Sequence, residues 1–301
     1  MEIQVVIAPI KIYIVDAFTD QLFGGNQAGV VLLRGEQAFP EDSFMQKIAA
    51  ELKHSETAFV KRMDIDTYQL RYFTPEGEVP LCGHATISAF TVLLEECIIA
   101  CGSFLAQTAA GALRVSVEPD KIWLEMPQGE IVKTLSQEES EQIYAAYQIQ
   151  TTDQMPGLQP CIVNAGLPDI LLPVGSKEAL DHAMQDRDTV IRLSRELGLV
   201  GVHMFFCPQE GEATAYCRNF APMFGIDEES ATGTSNAALT YYLSKQNLIQ
   251  SNKINTFVQG EAIGKRSVIL SKIDSNGKIW IGGGAVVSMQ GTLRMEPQDT
   301  K

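Results

Sequence analysis

The sequence has no hydrophobic run long enough to cross a membrane. Its first ten residues, MEIQVVIAPI, lack the basic start, the long apolar core and the small-residue cleavage site of a secretion signal. We therefore expect a soluble, cytoplasmic protein that is not exported.

Positive charge is also scarce. The chain carries 23 Lys and Arg against 37 Asp and Glu, a formal charge of -14 at pH 7, and its basic residues do not cluster. Nucleic acids and anionic membranes both require a basic patch, so neither is expected as a partner. The expected ligand is a small molecule, and an anionic one would need local dipoles that attract it against the net field.

Paired cysteines with the spacing of a zinc site are missing, so we expect reduced thiols and no metal site. The glycine triplet at 282–284 lacks the Lys-Ser or Lys-Thr that completes a phosphate-binding loop, which argues against a nucleotide site. The six cysteines are scattered through apolar segments, at positions 82, 97, 101, 161, 207 and 217.

The composition that is present predicts a large core. With 301 residues, 45% of them apolar, the chain is long enough for two domains. The stretch 127–157 is richer in Pro, Gly, Glu and Gln, which places a boundary near residue 130 and predicts domains 1–129 and 130–301. A last strand near 284–293 could pair with either domain.

Hydrophobic periodicity predicts an α+β fold. An amphipathic helix is expected at 41–53, and the helix at 84–96 is apolar nearly all round, so it should be buried inside a curled antiparallel sheet. The second half repeats this organisation around an apolar helix at 234–245. We expect two similar lobes, each an antiparallel β-barrel wrapped around a central apolar helix. Strands are predicted at 11–18, 28–33, from 57, and at 66–73, 112–118, 121–126, 168–174, 201–207, 212–219, 254–259, 266–273 and 278–282, with further helices at 177–184 and 187–197.

One segment occurs twice in loose form. Arg71 to Pro75 and Arg218 to Pro222 share the pattern R-x-F-x-P, followed by a glycine 12 residues after the first Arg and 15 after the second. These glycines, Gly83 and Gly233, each open an apolar helix. A helix start offers free N–H groups and the positive end of the helix dipole, so two starts aimed at one cleft would hold a small carboxylate.

Glu56 is the leading candidate for proton transfer. It follows a helix, lies between Ser55 and Thr57, and begins an otherwise apolar strand. Partial burial would raise its pKa and suit a general acid and base near neutral pH. A strand-end Glu that caps a loop is the alternative.

Two further candidates lie at the first helix start. The helix dipole would favour a neutral imidazole at His84 and would stabilise a thiolate at Cys82. Capping or packing is the alternative for His84. The equivalent of Cys82 in the second copy is Thr232, so a pair of thiols is lacking, and a structural role is the alternative for Cys82.

An acidic triplet of Asp227, Glu228 and Glu229 precedes the second helix start. Such a triplet is ordinarily a solvated loop, and a ligand contact is the alternative. Gly83 and Gly233 are explained by a close approach of the backbone at the two turns, with or without a ligand.

Taken in order, several motifs resemble the PhzF-like family of phenazine-biosynthesis isomerases, within the diaminopimelate-epimerase-like fold. The resemblance covers nearly the whole length. It depends on Asp16-Ala17-Phe18, Gly25-Asn26, Ser55 to Val60, Arg71 to Pro75, Cys82-Gly83-His84, Arg218 to Pro222, Glu228 to Thr234, Gln259-Gly260 and the terminal glycine-rich strand.

The resemblance implies two barrel lobes, a homodimer, and no metal or organic cofactor. It implies that Glu56 is the acid/base of an allylic proton shift like that in trans-2,3-dihydro-3-hydroxyanthranilate, flanked by His84 and Glu229. The substrate carboxylate would lie against the backbone N–H groups near Gly83, Gly233 and Thr234. The substrate-binding residues implied in full are Ser55, Cys82, Gly83, Thr232, Gly233 and Thr234.

Three positions depart from the phenazine enzymes. Glu229 stands where they carry Asp, Thr234 stands where they carry Ser, and Cys82 replaces a different small residue. The pocket is therefore expected to admit another substrate.

Two other functions stay open. One is a proline-racemase-like hydroxyproline dehydratase or epimerase that uses Cys82 as its single thiol. The other is a noncatalytic protein that binds a small carboxylate in the same cleft.

Overall fold

The computed structural model describes residues 10–33, 35 and 37–293, in which there are 18 strands and six α-helices. Residues 1–9, which bear on the predicted lack of a secretion signal, lie outside the described residues. Within the described ranges no helix is long and apolar enough to span a membrane.

The helices are α1 (Asp42–Leu52), α2 (Gly83–Glu95), α3 (Gln137–Ala146), α4 (Lys177–His182), α5 (Arg187–Leu197) and α6 (Gly233–Lys245). The strands are β1 (Ile10–Ala17), β2 (Asn26–Leu33), β3 (Glu56–Arg62), β4 (Thr67–Phe73), β5 (Glu78–Val79), β6 (Gly102–Thr108), β7 (Gly111–Val117), β8 (Ile122–Glu125), β9 (Glu130–Thr134), β10 (Cys161–Asn164), β11 (Pro168–Pro173), β12 (Gly201–Phe206), β13 (Ala215–Ala221), β14 (Ile226–Glu229), β15 (Asn255–Gln259), β16 (Ser267–Ile273), β17 (Ile279–Gly283) and β18 (Ala285–Leu293).

Strand pairing repeats in the two halves. The first series runs β18-β1-β2-β3-β4-β6-β7-β8, and the second runs β9-β10-β11-β12-β13-β15-β16-β17. The series meet where β8 pairs with β17. The predicted α+β fold of two similar lobes is confirmed.

The sheets differ from the purely antiparallel barrels that the sequence predicted. The pairs β2–β3 and β4–β6 are parallel, and so are their counterparts β11–β12 and β13–β15. A helix lies between the two strands of each pair in the chain. Such a crossover returns the chain to the same end of the sheet, so the next strand runs in the same direction.

The last strand returns to the first lobe. β18 pairs with β1 along its whole length, from Ala17 opposite Ala285 to Ile10 opposite Leu293. The predicted boundary near residue 130 falls where β9 begins, and the division into domains 1–129 and 130–301 remains a prediction.

Helices α2 and α6 occupy the centres of the two lobes. Every residue of α2 from His84 to Leu93 is buried. The polar side chains on this helix are satisfied locally, because the hydroxyls of Thr86, Ser88 and Thr91 each donate to the carbonyl four residues earlier. The helix can therefore be enclosed on all sides.

Candidate active site

Glu56 and His84 meet at the start of α2. Glu56 is the first residue of β3, and the left-handed backbone of Lys53, which ends α1, turns the chain toward it. The Glu56 Oε2 atom lies 3.2 Å from Nε2 of His84, and Ser55 Oγ lies 3.3 Å from the same nitrogen. The Glu56 side chain keeps 20% of its surface exposed. A substrate could therefore reach the Glu56 side chain, although the Oε2 atom itself and the ring of His84 are buried.

The other ring nitrogen of His84 faces Cys82 and Asn26. Nδ1 lies 3.4 Å from Cys82 Sγ and 3.3 Å from Asn26 Nδ2. Asn26 also donates to the Glu229 carboxylate and to the carbonyl of Ala231, at 3.0 Å. One amide from β2 thus joins the first helix start to the segment that precedes the second.

The charge on Glu56 differs from the sequence prediction. Burial alone would raise its pKa, as predicted, but the hydrogen bond and the positive charge of His84, with further bonds from Ser55 and Cys82, outweigh burial and lower the pKa. Glu56 is therefore an ionised carboxylate at neutral pH, which suits a base that accepts a proton first.

His84 and Cys82 also reverse the predicted charges. Burial disfavours an imidazolium, yet Cys82, when ionised, and the Glu56 carboxylate raise the pKa of His84 well above its ordinary value, and at neutral pH Glu56 is the charged partner. Burial and the nearby Glu56 charge raise the pKa of Cys82, so its sulfur is a neutral thiol and not the thiolate that a helix dipole would favour. The charges and hydrogen bonds of these neighbouring side chains act on the pKa values at shorter range than the helix dipole does.

Glu229 is not in a solvated loop. It ends β14, is half-buried, and binds Asn26. Burial and the Glu56 charge raise its pKa, although His84 and Asn26 oppose the shift. Its neighbour Glu228 forms a buried two-pronged ion pair with Arg218, at 2.7 and 3.0 Å. The site thus contains two carboxyl groups whose pKa values are displaced in opposite directions, the usual mark of a base and an acid.

The glycines at the two helix starts are not closely packed against other side chains. A Cβ atom added to Gly83 would come no nearer than 4.0 Å to Leu124, and one added to Gly233 no nearer than 3.7 Å to Ile281. Close packing against the protein, which the sequence offered as one explanation of these glycines, therefore does not account for them.

The remaining predicted residues lie around the second start. Thr232 is the N-cap of α6, and its hydroxyl accepts a hydrogen bond from Gln259 Nε2 at 3.2 Å. Thr234 lies in the first turn, with its methyl group beside Gly166. Two surface cavities, of about 620 and 360 Å³, are lined by none of the predicted site residues. Since the site groups contact one another directly, a substrate would have to displace some of these contacts.

Sequence reasoning assigned no role to Asn26 or Gln259, although both stood in quoted motifs. Asn26 and Glu229 are 203 residues apart, and no local pattern brings them together. Neither motif showed from its sequence that its amide side chain would be buried.

One group of side chains has ligand atoms close enough together to hold a metal ion. The ligand atoms of Glu56, Cys82 and His84 all lie within 4.8 Å of one another, and this is the one group of three such residues that the described ranges contain. The sequence did not show this cluster, because Glu56 lies on β3, far along the chain from Cys82 and His84 at the start of α2. Hydrogen bonds and charge interactions among these three residues also explain why they lie close together.

The chain is similar to known proteins over almost its whole length. The family model described as phenazine biosynthesis-like protein matches residues 15–291. An uncharacterized isomerase of Clostridium acetobutylicum is 33% identical over 297 residues, which cover 94% of this chain and 97% of that protein.

The chain is also similar to solved structures. The crystal structure of a PhzF-family phenazine biosynthesis protein from Enterococcus faecalis has a TM-score of 0.78 and 26% identity, and the match covers 95% of this chain and all of that one. A hydroxyproline epimerase from Agrobacterium vitis, solved with bound trans-4-hydroxy-L-proline, has a TM-score of 0.63 at 13% identity, with 96% and 94% of the two chains covered. The second likeness shows a shared fold and nothing about the reaction.

Proposed function

The chain belongs to the phenazine biosynthesis-like family and is an isomerase, and we propose that it shifts a proton between two carbons of a small carboxylate substrate with Glu56 as the acid/base. The observation that carries this proposal is the contact of 3.2 Å between Glu56 Oε2 and His84 Nε2. This contact holds an ionised and partly exposed carboxylate beside the start of α2.

The proposed reaction begins with the Glu56 carboxylate. It takes a proton from a substrate carbon next to the conjugated system and becomes a neutral acid, while the electron pair of the broken C–H bond spreads into the substrate as a dienolate-like anion. The same carboxyl then returns its proton to a second carbon. One base can serve both steps if both carbons present the same face to it. The sum is an isomerisation that needs no oxidant or reductant.

The rest of the site stabilises the anion. N–H groups at Gly83, Gly233 and Thr234 would hold the substrate carboxylate, because the first N–H groups of a helix have no carbonyl partner within it. Such fixed dipoles do not have to reorganise as charge develops. Glu229, whose pKa is raised by burial and whose carboxylate accepts a hydrogen bond from Asn26, would contact a polar group of the substrate.

The substrate class follows from the resemblance and from the departures. We propose a small ring carboxylate similar to trans-2,3-dihydro-3-hydroxyanthranilate. The longer Glu229 and the extra methyl of Thr234 narrow the space at the second helix start, which supports a substrate that differs from it on that side. We also propose that the protein acts as a cytoplasmic homodimer without a cofactor, as relatedness to the PhzF family implies.

Turnover in heavy water tests the proposal. We expect the wild-type protein to incorporate deuterium into trans-2,3-dihydro-3-hydroxyanthranilate or a related carboxylate, and Glu56→Gln to lose this activity by at least about 100-fold. The exposed Glu51→Gln is the matched control, since it removes a carboxylate from α1 near the same loop. Full activity in Glu56→Gln would refute Glu56 as the base.

The two alternatives have less support. The raised pKa of Cys82 disfavours a thiolate nucleophile or base, and the hydroxyl of Thr232 is already bound by Gln259. Loss of activity in Cys82→Ala with retention in Glu56→Gln would establish the thiol mechanism instead. A protein that binds the carboxylate but exchanges no deuterium would be the noncatalytic binder.

A further inference from the structure

Gln259 is the most heavily hydrogen-bonded side chain beside the second helix start. It ends β15 and is completely buried. Its Nε2 donates to the carbonyl of Glu229 at 2.8 Å and to Thr232 Oγ1 at 3.2 Å. Its Oε1 accepts from the Thr232 N–H at 3.4 Å and from Asn236 Nδ2 at 2.9 Å.

These bonds use the whole amide. A Gln side chain has two N–H donors and two acceptor lone pairs, and each has a partner here. The amide cannot be turned over without losing its contacts with the Glu229 carbonyl, the Thr232 N–H and the Asn236 amide, so these three partners fix its orientation. Because the site is buried, each lost contact would leave a polar group without water to replace it.

The groups that Gln259 binds lie at both ends of the short segment 229–232. The carbonyl of Glu229 begins it, and the N–H and hydroxyl of Thr232 end it, directly before the first turn of α6. Asn236 strengthens the far end by donating to the carbonyl of Thr232 at 2.9 Å. A single side chain thus ties the residue that carries a site carboxyl to the helix start that faces the substrate.

The first helix start is built differently. There Thr86 Oγ1 donates to the carbonyl of Cys82, and the hydroxyls of Thr86 and Tyr72 are 2.6 Å apart. Tyr72 lies on β4, which pairs with β3, the strand that begins at Glu56. At the first start the helix residue His84 contacts the carboxyl of Glu56 directly, whereas at the second start Gln259 links the helix to the segment of Glu229.

We propose that Gln259 is a positioning residue, which sets the Glu229 carboxyl and the N–H groups of Gly233 and Thr234 in one fixed arrangement for the substrate. The proposal extends the proposed function, and its catalytic consequences depend on that function. Gln259 has no contact with the reacting atoms. It acts through the backbone of residues 229–234.

The matched pair Gln259→Met and Asn255→Leu tests this role. Both substitutions replace a buried amide on β15 by an apolar side chain of similar size. Asn255 is bonded to Ser271 and lies outside the site. We expect both variants to lose stability. Only Gln259→Met should lower kcat and raise KM, together reducing kcat/KM by about 10- to 100-fold, because misplaced groups lose most of their effect over about 1 Å.

A second measurement does not need turnover. Hydrogen exchange of the amides of residues 229–234 should quicken in Gln259→Met and stay as in the wild type in Asn255→Leu. Equal exchange in both variants, or equal kcat and KM where both are folded, would overturn the proposal. Faster exchange in Gln259→Met, combined with no turnover in the wild type, would count against the proposed function and would leave the positioning of this segment by Gln259 established.

Discussion

The Glu56 carboxylate and the His84 imidazole lie 3.2 Å apart, Oε2 to Nε2, and each favours the charged form of the other. Burial would otherwise neutralise both groups. Their contact explains how a carboxyl in a mostly apolar strand stays ionised and ready to accept a proton. It also assigns the positive charge of the site to His84, in the first turn of α2.

Removal of His84 should change the pH dependence of the reaction. In His84→Asn the charge that lowers the pKa of Glu56 is lost and burial dominates, so that pKa rises. Glu56 must be ionised to act as a base, and activity falls as the pH drops through its pKa. We therefore expect the acid limb of kcat/KM to move to higher pH. The exposed His182→Asn on α4 is the control, and an unmoved limb in His84→Asn would contradict the assignment.

Cysteine alkylation should follow burial and charge. Cys97 and Cys101 are exposed, whereas Cys82 is buried and its pKa is raised. Since the thiolate is the reactive form, iodoacetamide at neutral pH should label Cys97 and Cys101 first, as followed by mass spectrometry. In denaturant the three should react at similar rates. Preferential labelling of Cys82 in the native protein would indicate an activated thiol and would favour the alternative mechanism.

Asp169 should give the stability an unusual pH dependence. Burial raises its pKa to about 6 in the folded protein, although bonds from Ser235 and the Gly201 N–H oppose the shift. The unfolded chain ionises at an ordinary pKa of about 3.9. As the pH rises between these values, the unfolded state loses its proton first, so this carboxyl lowers the free energy of unfolding, by roughly 3 kcal/mol once the pH exceeds both values.

The variant Asp169→Asn has no titrating carboxyl group at this position. Compared with this variant, the wild type should lose stability between about pH 4 and pH 6, as measured by urea unfolding at a series of pH values. The same comparison with Asp20→Asn, at an exposed position, is the control. A constant difference between wild type and Asp169→Asn across this range would show that Asp169 titrates normally.

The two copies of the R-x-F-x-P segment should differ in their contribution to stability. Arg218 and Glu228 are 12% and 9% exposed, and Arg218 also donates to the carbonyls of Leu180 and Ala183. Arg71 and its partner Glu78 are 22% and 33% exposed. Loss of one member of a buried pair leaves an uncompensated charge and costs about 3 to 5 kcal/mol, whereas an exposed pair contributes about 1 kcal/mol or less.

We therefore expect Arg218→Met to lower the free energy of unfolding more than Arg71→Met. The double variant Arg218→Met with Glu228→Gln should recover part of the loss, because it no longer buries an unpaired carboxylate. Equal losses in the two single variants would mean that solvent screens both pairs alike.

Local patterns predicted the parts of the fold that depend on local physics. The apolar sequence of α2 indicated a helix without a solvent face, and it is enclosed. The repeated R-x-F-x-P and glycine pattern indicated two equivalent helix starts, and α2 and α6 begin at Gly83 and Gly233. Helix periodicity and turn chemistry involve neighbours within a few residues, so they can be read from the chain directly.

The sequence by itself therefore determined the two-lobed fold, the two helix starts and the candidate residues. The tertiary structure alone decided the pairing of β18 with β1, the bridge from Asn26 to Glu229 and the charges of the site. A pKa depends on burial and on charges brought close in space, and those neighbours come from distant parts of the chain. For this reason Glu56 could be chosen from the sequence, whereas its ionisation beside His84 could not.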